Sequence, residues 1–239
     1  MFSSLLYGSE AWGDFSCMYD KLRKIEKKVL KTILKVKSGT TNDLVYHELR
    51  RGDIVSRIKD RQHKFYKKLK ELPRDEAIVS KPFDLCKDLS IVKYYENLHD
   101  HNLADDITER EERIRSSTSS MMIYYVKLVS DEKSCIYDSY LCDEARCSIT
   151  RWTLSNHDLN IEKGRRRDIP REQRVCDTCE VLEDEQHVVF HCPRYNEVRQ
   201  RHQELMQRRH SIELFLNPTF ETAIETSNFI REVESLRKR

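Results

Sequence analysis

Glycine and proline are scarce, five of each in 239 residues, where average usage would run to roughly 7% and 5%. That shortage removes the turn chemistry on which sandwiches, barrels and glycine-rich nucleotide folds depend. No excess of either charge announces a partner, because 43 Lys and Arg stand against 41 Asp and Glu, a formal +2. Any electrostatic argument must therefore be local. Long apolar runs are missing as well. The longest uncharged candidate, Ser116 to Val126, is mostly Ser, Thr, Met and Tyr and falls short of the ~18 apolar residues of a spanning helix, so no membrane contact is expected. Met1 to Gly13 has neither the basic start nor the apolar stretch of a secretory signal. The expected compartment is reducing, nuclear or cytoplasmic. There the eight cysteines serve as thiols or metal ligands rather than as a disulfide framework.

What is present, 38% hydrophobic and 35% charged residues, suits one or two modest helical cores. From Asp20 to Lys37, Leu22, Ile25, Val29, Ile33 and Val36 recur at helical steps, with lysines between them. Thr41 or Asn42 is placed to cap a short second helix through Val45 and Leu49, with Gly52 as the left-handed residue that ends it. A third helix carries Ile54, Ile58, Phe65, Leu69 and Leu72 and stops at Pro73, with Phe65 read as core and Tyr66 as an exposed ring. Lys21 through Lys70 holds 17 basic against 5 acidic side chains, the main basic region. Glu71 through Arg115 reverses the sign, 7 against 12, and reads as a connector with one charged helix near Asp105. Met121 through Leu128 is apolar enough to seed a second core. Pro193 opens a helix with Val198, Leu205 and Met206, and Pro218 another with Phe220, Ile224, Ile230 and Val233. The expected fold is all-α with two small helical units: a basic segment over residues 1–72, an acidic connector over 73–115, and a helical module over 116–239.

One constellation carries chemistry. Cys176, Cys179, His187 and Cys192 form a C-x2-C-x7-H-x4-C arrangement in residues 176–192. Three thiolates and one imidazole suit tetrahedral zinc, and a complete set of four donors implies one structural Zn2+ in a CCHC knuckle rather than an open catalytic site. His191 competes with His187 for the imidazole position. His187 is preferred because, with Cys192 as a ligand, His191 is redundant. Asp177, Glu180, Glu183, Asp184 and Glu185 between the ligands make this loop repel phosphate, whereas Lys163, Arg165, Arg166 and Arg167 around Gly164 read as a phosphate clamp. Cys135, Cys142 and Cys147 lack a histidine at ligand spacing; Cys142 or Cys147 reads as a small buried hydrophobe. Ser155-Asn156-His157 reads as a helix-ending turn.

Several blocks resemble a known family. Leu5-Leu6-Tyr7-Gly8-Ser9-Glu10-Ala11-Trp12-Gly13, the basic helix after it and Val45-Tyr46-His47-Glu48-Leu49 are similar to the region following the palm in reverse transcriptases of non-LTR (LINE-type, jockey-like) retrotransposons. Thr150-Arg151-Trp152, Ser155-Asn156-His157, Ile161-Glu162-Lys163-Gly164-Arg165, Ile169-Pro170-Arg171-Glu172 and Arg174-Val175-Cys176 look like the approach to that family's terminal zinc-binding segment. Glu183-Asp184-Glu185-Gln186-His187 and Cys192-Pro193-Arg194-Tyr195 look like its second ligand pair. The resemblance implies a thumb-end and carboxyl-terminal portion of such a polyprotein, without the polymerase. Leu103-Ala104-Asp105-Asp106 is a decoy for the catalytic pair: it follows the Tyr7-Gly8 block instead of preceding it, and Thr108-Glu109-Arg110-Glu111-Glu112-Arg113 comes where an apolar strand is needed. A lone acidic pair does not complete a two-metal site.

The expected function is therefore non-catalytic binding of RNA or DNA through backbone contacts. The residues assigned to it are Lys24, Lys28, Lys31, Lys64, Lys68, Lys163, Arg165, Arg166 and Arg167, with a protein-interaction scaffold or a transposon remnant as the alternative.

Overall fold

A computed structural model of the chain describes residues 6–12, 14, 16–71, 90–98, 103–128 and 141–238. Among them the elements are helical, and the one β pairing is an isolated antiparallel bridge, Val175 to Leu182. The fold is all-α, as composition and periodicity predict. No helix among the described residues is long and apolar enough to cross a membrane. The chain divides into two compact units, Met1–Leu30 with Asn42–Arg113, and Lys31–Thr41 with Ile114–Arg239.

In the first unit lie most of α1 (Ser16–Ile33), then α2 (Asn42–Glu48), α3 (Ile54–Glu71), α4 (Ser90–Glu96) and most of α5 (Leu103–Arg115). The buried face of α1 differs from the expected one. Tyr19, Glu26 and Leu30 point inward, while Ile25 and Ile33 are 51% and 56% exposed. The reason is the Glu26 carboxylate, fully buried, whose Oε2 accepts from Tyr46 Oη at 2.8 Å and from the Ile54 backbone N–H at 2.6 Å. Arg51 stands 3.5 Å from its other oxygen. Glu26 thus caps the first turn of α3, beside Asp53, whose Oδ1 takes the N–H groups of Val55 and Ser56. Rotating the helix to bury Ile25 would orphan those donors.

The left-handed residue that ends α2 is Arg50, at φ 46°, and not Gly52. On α3 the two rings exchange the expected roles. Tyr66 is 2% exposed and Phe65 is 37% exposed, because Tyr66 stacks on Tyr95 with centroids 6.0 Å apart and donates to Glu96 Oε1 at 3.1 Å. The ring expected to be free for base stacking is core. Leu72, Pro73 and about half of the acidic connector lie outside the described residues, but α4 and most of α5 belong to this unit. Arg110, 4% exposed, lies over the Tyr46 ring, donates to Arg51 O at 3.0 Å, and pairs with Asp106 in the first turn of α5.

The second unit holds α6 (Ser120–Leu128), α7 (Asp143–Thr153), α8 (Asn160–Arg165), α9 (Asn196–Arg201), α10 (Gln203–Arg208), α11 (Ile212–Leu216) and α12 (Phe220–Arg237). Its core gathers Trp152, Val188, Val189, Val198, Leu205, Phe215, Phe229, Ile230 and Val233, with Phe215 and Phe229 edge to face at 5.3 Å. The helix expected after Pro193 is broken at His202, whose ring meets Phe229 edge on and whose Nε2 reaches Glu232 at 3.2 Å. A Thr219–Thr222 capping box opens α12. The face of α12 that is buried carries Ala223, Phe229, Ile230 and Val233, while Phe220 and Ile224 are each 60% exposed, contrary to the expected register. Cys147 is the buried thiol and donates to Ile33 O at 3.4 Å; Cys142 is exposed, and Cys135 lies outside the described residues.

Candidate metal centre

The knuckle is built by two local turns. Cys176 N–H donates to Val181 O at 2.7 Å and Glu180 N–H to Cys176 O at 2.9 Å, closing a loop that Glu180 completes in a left-handed conformation at φ 57°. The second turn is π-helical, His187–His191, with the Cys192 N–H bonded to His187 O at 2.8 Å. An i to i+5 bond stacks residues five apart. It sets Cys192 beside His187 and turns His191 outward, where it is exposed. Asp184 Oδ1 accepts the His187 N–H at 2.8 Å and starts this turn.

Together the turns bring Cys176, Cys179, His187 and Cys192 to one point, with all four donor atoms within 4.8 Å of one another. Cys192 Sγ stands 3.8 Å from both Cys176 Sγ and Cys179 Sγ. Bonds of about 2.3 Å at tetrahedral angles would separate two sulfurs on one zinc by about 3.75 Å, so the observed edges fit a single ion. His187 is 9% exposed, and its buried Nε2 has no hydrogen-bond partner. An orphaned ring nitrogen facing three thiols fits a ligand. The cluster can hold a metal ion, and His187, not His191, is its imidazole.

The electrostatics differ among the four donors. Burial opposes ionisation of the Cys176 thiol, but the N–H groups of Thr178 and Cys179 outweigh it and hold its pKa below the usual value. Burial pushes Cys192 up to about 12 and pushes His187 down, favouring the neutral imidazole that binds metals. Arg199, on α9, reaches back over the π turn and donates to Cys192 O at 2.5 Å, Val188 O at 3.3 Å and Val189 O at 3.4 Å. Its charge stands where three thiolates around a divalent ion would leave a net negative site.

Three of the five acids expected to repel phosphate are engaged internally. Glu183, 2% exposed, pairs with Arg237 of α12 and accepts the Asn160 N–H at 2.7 Å. Glu185 bonds His157 Nε2 at 2.6 Å, and although burial resists its ionisation, His157 holds its carboxyl below the ordinary range. Asp184 starts the π turn. Only Asp177 and Glu180 are exposed. Ser155-Asn156-His157 does end α7, with Ser155 at φ 51°, but it also ties distant parts of this unit together. Asn156 Oδ1 accepts the Lys37 N–H at 3.0 Å, and its Nδ2 donates to Thr40 Oγ1 at 2.6 Å. No local pattern announces Arg199, Arg237 or the His157–Glu185 pair, since each acts across a turn or across many residues of sequence.

The nine basic residues assigned to nucleic acid are distributed over both units. Lys24, Lys28, Lys64 and Lys68 are exposed on α1 and α3, with Lys64 paired to Asp60 at 2.8 Å. Lys31 donates to Ser38 O at 2.6 Å. In the turn around Gly164, Arg165 is paired with Glu162 and Arg166 with Asp158 at 3.2 Å, so two of the expected clamp residues face acids of their own unit. Lys163 acts through its charge on Asp158, and Arg167 has no acidic partner among the described residues. No protein-family model, curated protein or solved structure matches the chain.

Proposed function

We propose that the chain is a zinc-stabilised module that binds RNA or DNA through its phosphate backbone and performs no catalysis. On this reading it resembles the thumb-end and carboxyl-terminal portion of a non-LTR retrotransposon reverse transcriptase. The observation that carries the reading is the convergence of three sulfurs and one orphaned imidazole nitrogen within 4.8 Å. That donor set, soft and four in number, matches structural zinc and leaves no position for an activated water. Thiolates kept available for an ion imply a reducing compartment, nuclear or cytoplasmic. Zinc would fix the loop between α8 and α9 and so steady Lys163 on α8 and Arg167 just after it, while the lysines of α1 and α3 supply further cations. Lysine and arginine contacts to phosphate give affinity that falls steeply with salt and carries little sequence information.

The test joins two measurements on the purified chain. Elemental analysis is expected to give one zinc per chain, and a chelator is expected to unfold the second unit, because structural zinc contributes on the order of 10 kcal/mol to a small fold. Anisotropy of labelled oligonucleotides is expected to show tight binding at low salt that is lost at high salt. A metal-free protein that melts as the native one does, or affinity indifferent to salt, overturns the reading. The exposed pair Phe220 and Ile224 on one face of α12 favours the second reading, a protein-interaction scaffold. That reading gains if zinc is bound and no oligonucleotide is.

A further inference from the structure

Within the second unit a cleft of about 460 Å³ is lined by Lys35 and Lys37, by Lys163 of α8 and by Lys238 beyond the end of α12. Its wall is rigidly made. Asn156 fastens Lys37 and Thr40, and Cys147 holds Ile33 O, so the segment from residue 33 to residue 40 is anchored at both ends. The half-buried Val36 supplies apolar lining, backed by the buried Leu159 and Val233. Two acids border the cleft, and each is already matched. Asp158 accepts from Lys37 at 2.8 Å and pairs with Arg166 at 3.2 Å; Glu234 pairs with Arg151 at 2.7 Å and accepts the Trp152 indole N–H at 3.2 Å. Lys37, foremost, holds the Asp158 carboxyl below its ordinary range, as a positive surrounding requires. After these pairings Lys35 and Lys238 have no acidic partner among the described residues, while Lys163 shares Asp158 with Lys37 and Arg166.

Lysines in excess of the two bordering acids, beside an apolar surface, suit a ligand with a multiply bonded oxyanion and a flat, weakly polar body. We infer that this cleft seats one nucleotide of a single-stranded nucleic acid, its phosphates on Lys35, Lys163 and Lys238 and its base against the apolar lining. The inference rests on the nucleic-acid-binding reading and adds the place and the strandedness. Ligand sites of this kind run from about 300 to 1,000 Å³, so the cleft has room for a single nucleotide and not for a duplex. Flexible point charges match phosphate, which offers oxygens in several directions, and contact of a base face with the aliphatic Val36 side chain tolerates any sequence. An acidic peptide offers the charge but no flat body for the lining.

The experiment uses the zinc-loaded full chain and a fluorescent twelve-nucleotide oligo-dT. Its affinity is compared for the parent, for Lys35→Gln/Lys163→Gln/Lys238→Gln, and for Lys24→Gln/Lys64→Gln/Lys68→Gln in the first unit. The cleft variant is expected to bind at least tenfold more weakly, with the slope of log affinity against log salt reduced by about 2, the share of three phosphate contacts on a single strand. All six side chains are at the surface or at the cleft edge, so folding is expected to be unchanged by circular dichroism and thermal melting. Binding that survives in the cleft variant and falls in the first-unit variant overturns the cleft and leaves the nucleic-acid reading standing. A parent that binds no oligonucleotide overturns both. Competition by poly-glutamate as strong as that by unlabelled oligo-dT replaces the nucleotide with an acidic peptide and overturns the inference.

Discussion

Replacing Cys192 with Ser is the sharpest perturbation of the metal centre. Its Sγ is the shared vertex of the sulfur triangle, 3.8 Å from Cys176 Sγ and from Cys179 Sγ, and the residue is fully buried. Serine fits the space but supplies a hydroxyl that does not ionise there, and the buried position gives water no way to take over. Zinc binding of about 10–16 kcal/mol shared by four donors assigns roughly 3 kcal/mol to each, which is on the order of a hundredfold in affinity. Competition against a chromogenic chelator measures that loss directly, and the ligand-field spectrum of the cobalt-substituted chain reports the change in donor set. His187→Ala is expected to match Cys192→Ser, while His191→Ala leaves affinity within about twofold, since the π turn points His191 to solvent. Cys192→Ser protein that holds zinc as tightly as the parent refutes the shared-vertex argument. Equal losses in the two histidine variants refute the account of the π turn.

Arg237→Met leaves the Glu183 carboxylate buried without its cation. Removing one partner of a buried pair costs about 3 kcal/mol or more, so the thermal midpoint of the second unit is expected to fall by roughly 6–12 °C. A further Glu183→Gln substitution should recover part of the loss, and a midpoint unmoved by Arg237→Met would show the pair to be idle. Glu26 holds its proton more tightly than an exposed acid, because burial, ahead of its hydrogen bonds from Tyr46 and Ile54, raises its pKa above the ordinary carboxyl value. The folded state then holds the proton longer than the unfolded state. Stability from this group is full below the unfolded value and declines as pH rises through the folded one. Urea melts across that interval should show the decline in the parent and lose it in Glu26→Gln; identical slopes would contradict the reading. Gly164→Ala places a Cβ 2.5 Å from Arg174 Cγ, whose guanidinium bonds Ile169 O and Ile161 O. The helix-propensity gain of up to ~1 kcal/mol is outweighed by a displacement costing about 1–3 kcal/mol, and a melting temperature that rises would reverse that ranking.

The helical character of the chain and the ligand set at residues 176–192 could be read without coordinates, because both arise from short-range chemistry. Helical periodicity needs only neighbours three and four residues apart, and a C-x2-C turn closes on itself. The choice between His187 and His191 needed one further local fact, the i to i+5 hydrogen bond that brings Cys192 over His187. Facing registers were another matter. Ile25 and Glu26, or Phe65 and Tyr66, are adjacent positions about 100° apart on a helix, so periodicity alone hardly distinguishes them. Partners distant in sequence did: Tyr46 and Ile54 drew Glu26 inward, and Tyr95 with Glu96 drew Tyr66. The same holds for the basic residues. Counting charges located a positive stretch, yet only the fold paired Arg165 with Glu162 and Arg166 with Asp158 and left Lys35, Lys163 and Lys238 around one cleft. A side chain's charge is a property of its residue type, whereas whether that charge is already matched depends on which groups the folded chain carries to within a few ångströms of it.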